Sequence, residues 1–412
     1  MAELLKKPEL LIPAGDAECL AMALQYGADA VYLGAKTFGM RASAKNFDFA
    51  AMAQAVQDAH AKGVKVYLTV NVMPRCHEMD QMPDFLREAA ACGIDAVIAA
   101  DLGVITTLRS ILPDLPVHAS TQTGIVNYAT ATALWNMGVE RVVLARELSL
   151  EEIAEIRAKT PPQLALETFV HGAMCMSVSG RCLLSEYFTG RDANRGACAQ
   201  SCRWRYHLVE EKRPGQYFPI GETEEGSYIL NAKDLCMLPY LKELYQAGVT
   251  SLKIEGRAKS FYYVAGMTNA YRAAIDALFA DPPKEVPTWV MEELEAVSHR
   301  PYTTGFYFGR PDDSIHNATA SYVRTTEVIG IVQDWREGRL YLSQRNRFFA
   351  GDAVSLLCPH EPPRSFCVQD LQNGEGESIA SANHAMMDCS VAYPEPVPKG
   401  AILRKAADEE RM

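Results

Sequence analysis

Five cysteines crowd one stretch of this sequence, at Cys175, Cys182, Cys198, Cys202 and Cys236, spaced Cys-x6-Cys-x15-Cys-x3-Cys-x33-Cys. A thiol packs as a small hydrophobe, pairs in a disulfide, attacks an electrophile or ligates a metal, and each use leaves its own pattern. Packing suits Cys19, Cys92, Cys358, Cys367 and Cys389, which lie in apolar or unpatterned contexts, but it does not explain a cluster in one loop region. Cys76 and His77 adjoin, with no companion ligands nearby. Zinc takes four ligands and usually closely spaced cysteine pairs; "CAQSC" supplies one pair, whereas Cys175-x6-Cys182 is wide for the other. Iron–sulfur clusters accept four thiolates at looser spacings. A cysteine nucleophile needs a base, and His171 precedes Cys175 closely, yet that use leaves the other thiols unexplained. Iron–sulfur ligation, zinc and nucleophilic catalysis therefore stand in that order.

What must position these thiols is a repeating unit. A glycine closes a helical-period segment and an apolar β-type run follows, in "YGADAVYLG" (26–34), "KGVKVYLTV" (62–70), "CGIDAVIAAD" (92–101), "MGVERVVLAR" (137–146) and "AGVTSLKIEG" (247–256). Gly27, Gly63, Gly93, Gly138 and Gly248 each fit the left-handed position that ends a helix. Asp16 before "AECLAMALQY" and the Ser149/Glu152 capping box mark helix starts. The runs are nearly continuous Val, Ile, Leu and Ala, as in parallel strands buried on both faces. With "ELLIPA" (9–14), "PVHAST" (116–121) and "LALETFVHG" (164–172) they make eight strands. Most of the strands are followed by a helix, and this β/α alternation predicts a (β/α)8 TIM-type barrel over 1–310, ahead of an open doubly wound sheet, because no GxGxxG follows the first strand. The regular spacing breaks once, in an insertion over 173–250 after strand seven that carries all five clustered cysteines. Loops after barrel strands form the C-terminal mouth where barrel enzymes do their chemistry. From residue 320 the texture changes to short alternating strands, with Glu337-Gly338 at a hairpin turn, so 320–412 is expected to be a small all-β domain.

Composition excludes several classes. The 412 residues carry net charge −11, with pI near 5.4, which argues against bulk electrostatic adhesion to nucleic acid but leaves room for a local basic patch. No apolar run suggests a membrane span and the N-terminus does not read as a signal peptide, so a cytoplasmic protein with reduced thiols is expected. The Asn317 sequon is then a chance match.

Strand ends supply further candidates: Lys253, Glu255 and Arg257 at the end of strand eight, Arg146 and Glu147 at the end of strand six, Asp101 at the end of strand four, Asn71 at the end of strand three and Gln122 after strand five. Each is equally readable as half of a rim ion pair. Glu167 and His171 on strand seven point to one side and could meet substrate or form a core pair. The stretch 181–205 sets Arg181, Arg191, Arg195, Arg203 and Arg205 against Glu186 and Asp192, with Trp204 and Tyr206 able to stack a splayed base. A self-paired loop is the competing use.

"ETFVHGAMCMSVSGRCLLS" (167–185), "RDANRGACAQSCRWRY" (191–206), "ELLIPAGDAECLAMALQYGADAVYLG" and "NAKDLC…SLKIEGRAKSFYY" resemble blocks of the collagenase-like peptidase family U-thirty-two, over roughly 1–275, and the C-terminal segment is similar to the domain of its longer members. The family name implies proteolysis. The better-understood members it resembles are cysteine-ligated [4Fe–4S] proteins that hydroxylate RNA bases or quinone precursors, including a tRNA-hydroxylating subgroup of this length. The resemblance implies cluster ligation by Cys175, Cys182 and Cys198, completed by Cys236 or Cys202, with Cys236 favoured. It implies prephenate-dependent formation of 5-hydroxyuridine at the tRNA wobble position, an anticodon-loop partner and an electron donor the sequence does not name. Glu167, His171, Lys253, Glu255 and Arg257 are the catalytic candidates, and Arg146 and Arg181 the guanidinium partners a dicarboxylate such as prephenate requires. The sequence holds no HExxH, GxSxG or Ser/His/Asp order that would run peptide hydrolysis. A peptidase, or an RNA-binding module without catalysis, remains the alternative.

Overall fold

The computed structural model describes residues 7–39, 46–174, 184–191, 193, 197–201, 207–208, 218–219, 231–309, 316–317 and 323–407. Eight parallel strands, β1 (Glu9–Pro13), β2 (Ala30–Gly34), β3 (Lys65–Val70), β4 (Ala96–Ala99), β5 (Val117–Ala119), β6 (Arg141–Val143), β7 (Ala165–Ala173) and β8 (Ser251–Ile254), follow one another in sequence order around a closed barrel. β8 closes the ring by pairing with both β1 and β7. The expected barrel is thus the observed one. The five helix-ending glycines all hold positive φ, between 73° and 101°. The Ser149/Glu152 capping box forms as read, and Asp16 accepts the Cys19 N–H at 2.8 Å.

The barrel is extended beyond β7 by a feature the strand count did not contain. Strand Asp234–Cys236 runs antiparallel to β7, setting Cys236 opposite His171, and Tyr302–Thr303 adds parallel to it. The insertion therefore leaves β7 after Met174 and comes back to lie against the same strand.

Two compact units emerge, one of Met1–Leu20, Ala28–Lys259 and Arg300–Tyr322, the other of Ala21–Gly27, Ser260–His299 and Val323–Met412. The second contains helices Phe261–Leu278 and Trp289–Ala296 and a seven-stranded antiparallel sheet, Arg364–Cys367, Ala353–Leu357, Ile402–Ala406, Thr326–Arg336, Arg339–Gln344, Asp388–Ala392 and Gln372–Asn373 in spatial order. Its core is apolar, with Ile329, Val332, Leu340, Phe348, Leu356 and Leu403 buried together. Glu337 and Gly338 both take positive φ (51° and 76°) at the anticipated hairpin, the double left-handed geometry that suits the strand twist. A buried fork fastens helices to sheet: Arg404 donates to both Glu293 carboxylate oxygens (2.6 and 2.7 Å), to the Tyr262 hydroxyl (2.6 Å) and to Ser355 Oγ (2.9 Å). Among the described residues no helix is long and apolar enough to cross a membrane.

Candidate active site at the barrel mouth

A barrel interior is usually filled by layers of branched aliphatic side chains. Here the apolar cluster of Leu11, Ala30, Tyr32, Tyr67, Ala96 and Ile98 shares the barrel with a layer of charge. β1 and β6 begin with Glu9 and Arg141, and β7 and β8 bring in Glu167, Ser251 and Lys253. Arg141 donates to Glu9 (2.5 Å), Glu167 (3.0 Å) and Ser251 (3.2 Å). Lys253 Nζ donates to the other Glu167 oxygen at 2.7 Å, and the Tyr67 hydroxyl donates to Glu9 at 2.7 Å. Burial pushes the Glu167 carboxyl up, but Lys253 and Arg141 outweigh it and hold the group below its ordinary value of 4.5; Arg141 does the same for Glu9. Burial, seconded by Arg141, drives His118 well below the usual histidine range, so it is neutral beside them. The layer therefore holds two carboxylates against two cations.

Above this layer lies the mouth. Arg146 stacks its guanidinium 3.9 Å over the Phe169 ring and donates to the Ala173 carbonyl at 3.2 Å. Lys253 Nζ faces the same ring at 5.7 Å and the Tyr32 ring at 4.6 Å, so two cations flank one aromatic wall. The Tyr32 hydroxyl donates to the Ile254 carbonyl (2.9 Å) and lies 3.4 Å from the Glu255 carboxylate. Arg257 is buried and donates to Thr69 Oγ1 at 2.5 Å. Gly34 makes room for it, since a Cβ there would stand 2.4 Å from Nη1. His171 is 1% exposed with its ring against Tyr302, and the facing Cys236 is 6% exposed. Directly paired residues of an antiparallel ladder point to one face, so thiol and imidazole are neighbours.

Glu167 and Lys253 are thus brought together, as are His171 and Cys236, while Arg146 joins Lys253 across Phe169. Cys198 is half-buried and its Sγ accepts the Gln200 N–H at 3.4 Å. Cys175, Cys182, Cys202 and Arg181 lie outside the described residues, as do Arg195, Arg203, Arg205, Trp204 and Tyr206. Among the described residues no three His, Cys, Asp or Glu side chains converge on a metal position. The donor chemistry nevertheless suits an iron–sulfur cluster: Cys236 is a shielded thiol on a fixed strand beside the end of β7, from which Cys175 and Cys182 follow in sequence. Of the other strand-end residues, Asp101 caps the helix that follows it, accepting from Val104 N at 3.1 Å, and Asn71 and Glu147 are half-buried. Gln122 is buried with no hydrogen-bond partner for Oε1 among the described residues. Glu9, Arg141, Tyr67 and Ser251 escaped the sequence reading. Their available signal was a single charged residue opening each of two otherwise apolar strands, "ELLIP" and "RVV".

Residues 15–317 match the family model described as Peptidase family U32, and residues 324–404 match its C-terminal domain. A protein of Escherichia coli named tRNA hydroxylation protein P is 37% identical over 418 residues, covering 91% of each chain. The 23S rRNA 5-hydroxycytidine synthase of the same organism is 38% identical over 274 residues, 66% of this chain and 40% of that one. A protein of Porphyromonas gingivalis named Collagenase is 36% identical over 315 residues, covering 73% of this chain and 74% of its own.

Proposed function

We propose that this chain, which belongs to peptidase family U32, is an iron–sulfur RNA hydroxylase that converts tRNA wobble uridine to 5-hydroxyuridine with prephenate as co-substrate. The observation that carries the reading is the buried Cys236 on the strand against β7, beside the barrel end that the other clustered cysteines follow in sequence. Cys175, Cys182, Cys198 and Cys236 would hold a [4Fe–4S] cluster, with Cys202 the spare thiol. The cluster would supply redox chemistry for introducing oxygen. The names of relatives matched over more than nine tenths of both chains support RNA hydroxylation as the activity.

The chain's own groups have definable tasks. Arg146 and Lys253 offer cationic partners for a dicarboxylate on either side of Phe169, and Arg257 adds a third charge held in place by Thr69. Tyr32 and Phe169 present aromatic faces to a planar ring and keep water from the Lys253 ammonium. Glu167, pinned as a carboxylate by two cations, fixes Lys253 and is a poor proton acceptor near neutral pH.

A peptidase reading draws on one specific contact, since His171 beside Cys236 is also where a nucleophile and base would stand. Two measurements decide. Anaerobically purified protein should contain close to four iron and four sulfide per chain if a [4Fe–4S] cluster is resident. Nucleoside mass spectrometry of tRNA from a deletion strain should show 5-hydroxyuridine and its derivatives lost. Unchanged modification in a strain without a redundant relative sinks the hydroxylase. Peptide cleavage that persists after iron removal favours the peptidase.

A further inference from the structure

The second unit carries a cation–aromatic surface on this acidic chain. Between strands Arg339–Gln344 and Phe348–Phe349 the backbone runs through "RNRFF", and side chains alternate. Phe348 is fully buried in the sheet core, while Arg347 and Phe349 are exposed on the other side. The Arg347 guanidinium stacks 4.6 Å over the Phe349 ring, which is 38% exposed. Arg345 stands 5.7 Å over the ring of Phe261 and lies against the sulfur of Met386, itself 56% exposed. Two arginines, two phenylalanines and a thioether thus form one cation–aromatic surface. The nearby carboxylate is committed elsewhere: Asp352 accepts the Phe349 N–H at 3.0 Å and is 3.9 Å from Lys405. Arg336, which stacks 4.2 Å over Tyr341 in the same unit, differs because Asp334 lies 3.9 Å from it and Glu337 adjoins.

We infer that the Arg345–Arg347–Phe349–Met386 surface is an RNA contact outside the catalytic mouth, taking an unpaired base on the Arg347/Phe349 stack and a phosphate on the arginines. The inference rests on RNA being the substrate. A stacked Arg–Phe pair offers a rigid flat face to any base, and guanidinium forks match phosphate oxygens. With net charge −11 the chain cannot hold RNA by its overall field, so contact must come from local patches of this kind. An anionic bilayer would call for a larger cationic field and a deeper apolar insertion, and an acidic peptide has no use for the aromatic faces.

The test uses the full-length chain, its R347Q/F349S variant and an R336Q control, with fluorescence anisotropy of a labelled anticodon stem-loop RNA over a salt series. All substituted side chains are exposed, so folding and iron content should be unchanged. The double variant should bind about ten-fold more weakly, and its salt slope should drop by about 0.7 for the lost phosphate contact, with R336Q like the native chain. In hydroxylation assays KM should rise with kcat unchanged. Equal affinity and slope for native and double variant overturns the inference while leaving RNA hydroxylation standing. A native chain with no affinity for RNA overturns both. Loss of binding to phosphatidylserine vesicles rather than to RNA assigns the surface to membrane and overturns the inference alone.

Discussion

Glu167→Gln is the sharpest probe of the barrel interior, because it removes one charge and almost no volume. Glu167 is fully buried and holds Lys253 at 2.7 Å and Arg141 at 3.0 Å. In the native layer Glu9 and Glu167 balance Arg141 and Lys253; after substitution two buried cations face one carboxylate. Breaking a buried pair by removing one partner costs about 3–5 kcal/mol, chiefly because the remaining charge has lost its solvation. The amide oxygen keeps one acceptor, so the loss should fall near the low end, about 3 kcal/mol by urea unfolding. Lys253→Met should cost a similar amount with the opposite residual charge. The double variant Glu167→Gln/Lys253→Met again has one cation against one carboxylate and should recover to within about 1 kcal/mol of native stability. Acid behaviour supplies an independent arm. Because Glu9 and Glu167 titrate below 4.5 when folded, their contribution is fully present above that value and fades as pH falls through the folded values. The acid limb of Glu167→Gln should be correspondingly shallower. Additive losses in the double variant, or a single loss below about 1 kcal/mol, refute the idea of a charge-balanced layer.

If the proposed cluster is resident, Cys236→Ser should lower iron and sulfide content and bleach its visible absorbance, whereas Cys367→Ser, at an exposed position of the second unit, should leave both intact. Gly34→Ala sets a methyl 2.4 Å from Arg257 Nη1 and should reduce activity well over ten-fold with much smaller change in thermal midpoint; equal losses would mean Arg257 is merely structural. In the second unit, Arg404→Met strands Glu293 and should destabilise by about 3 kcal/mol in denaturant. Burial lifts the Glu293 carboxyl above 4.5 despite that one guanidinium, so its contribution is full below 4.5 and declines as pH rises through the folded value. Glu293→Gln should abolish that decline and cost less than Arg404→Met.

The barrel was legible because its signals are local and repeated: a glycine where each helix ends, then an apolar run whose length fits one strand. The antiparallel strand Asp234–Cys236 was not, since three residues pairing across a long insertion carry no periodicity of their own. Cys236 and His171 could each be chosen by residue type, but that they are neighbours could only be found by folding. The charged layer hid for a different reason. A charge at the first position of a strand reads as rim, and whether it faces solvent or the barrel axis depends on the stagger between strands. Register settles it here, Glu9 lying opposite Ser251 and Ser251 opposite Glu167 across β1, β8 and β7.

That same register changes what Glu167 and Lys253 can do. Read singly, a carboxylate and an amine at strand positions near the mouth suggest an acid and a base. Joined to Arg141 and Glu9, the carboxylate is stabilised in its charged form by two cations, where Glu293, with one guanidinium, is shifted the other way. The difference between one counter-charge and two decides which way a buried carboxyl is shifted. Glu167 is thereby fixed as an anchor, and Lys253 turns its other side toward Tyr32 and Phe169, where Arg146 closes the opposite face. The proposed dicarboxylate would meet Arg146 and Lys253 across the Phe169 ring, a contact that a neutral peptide bond does not call for.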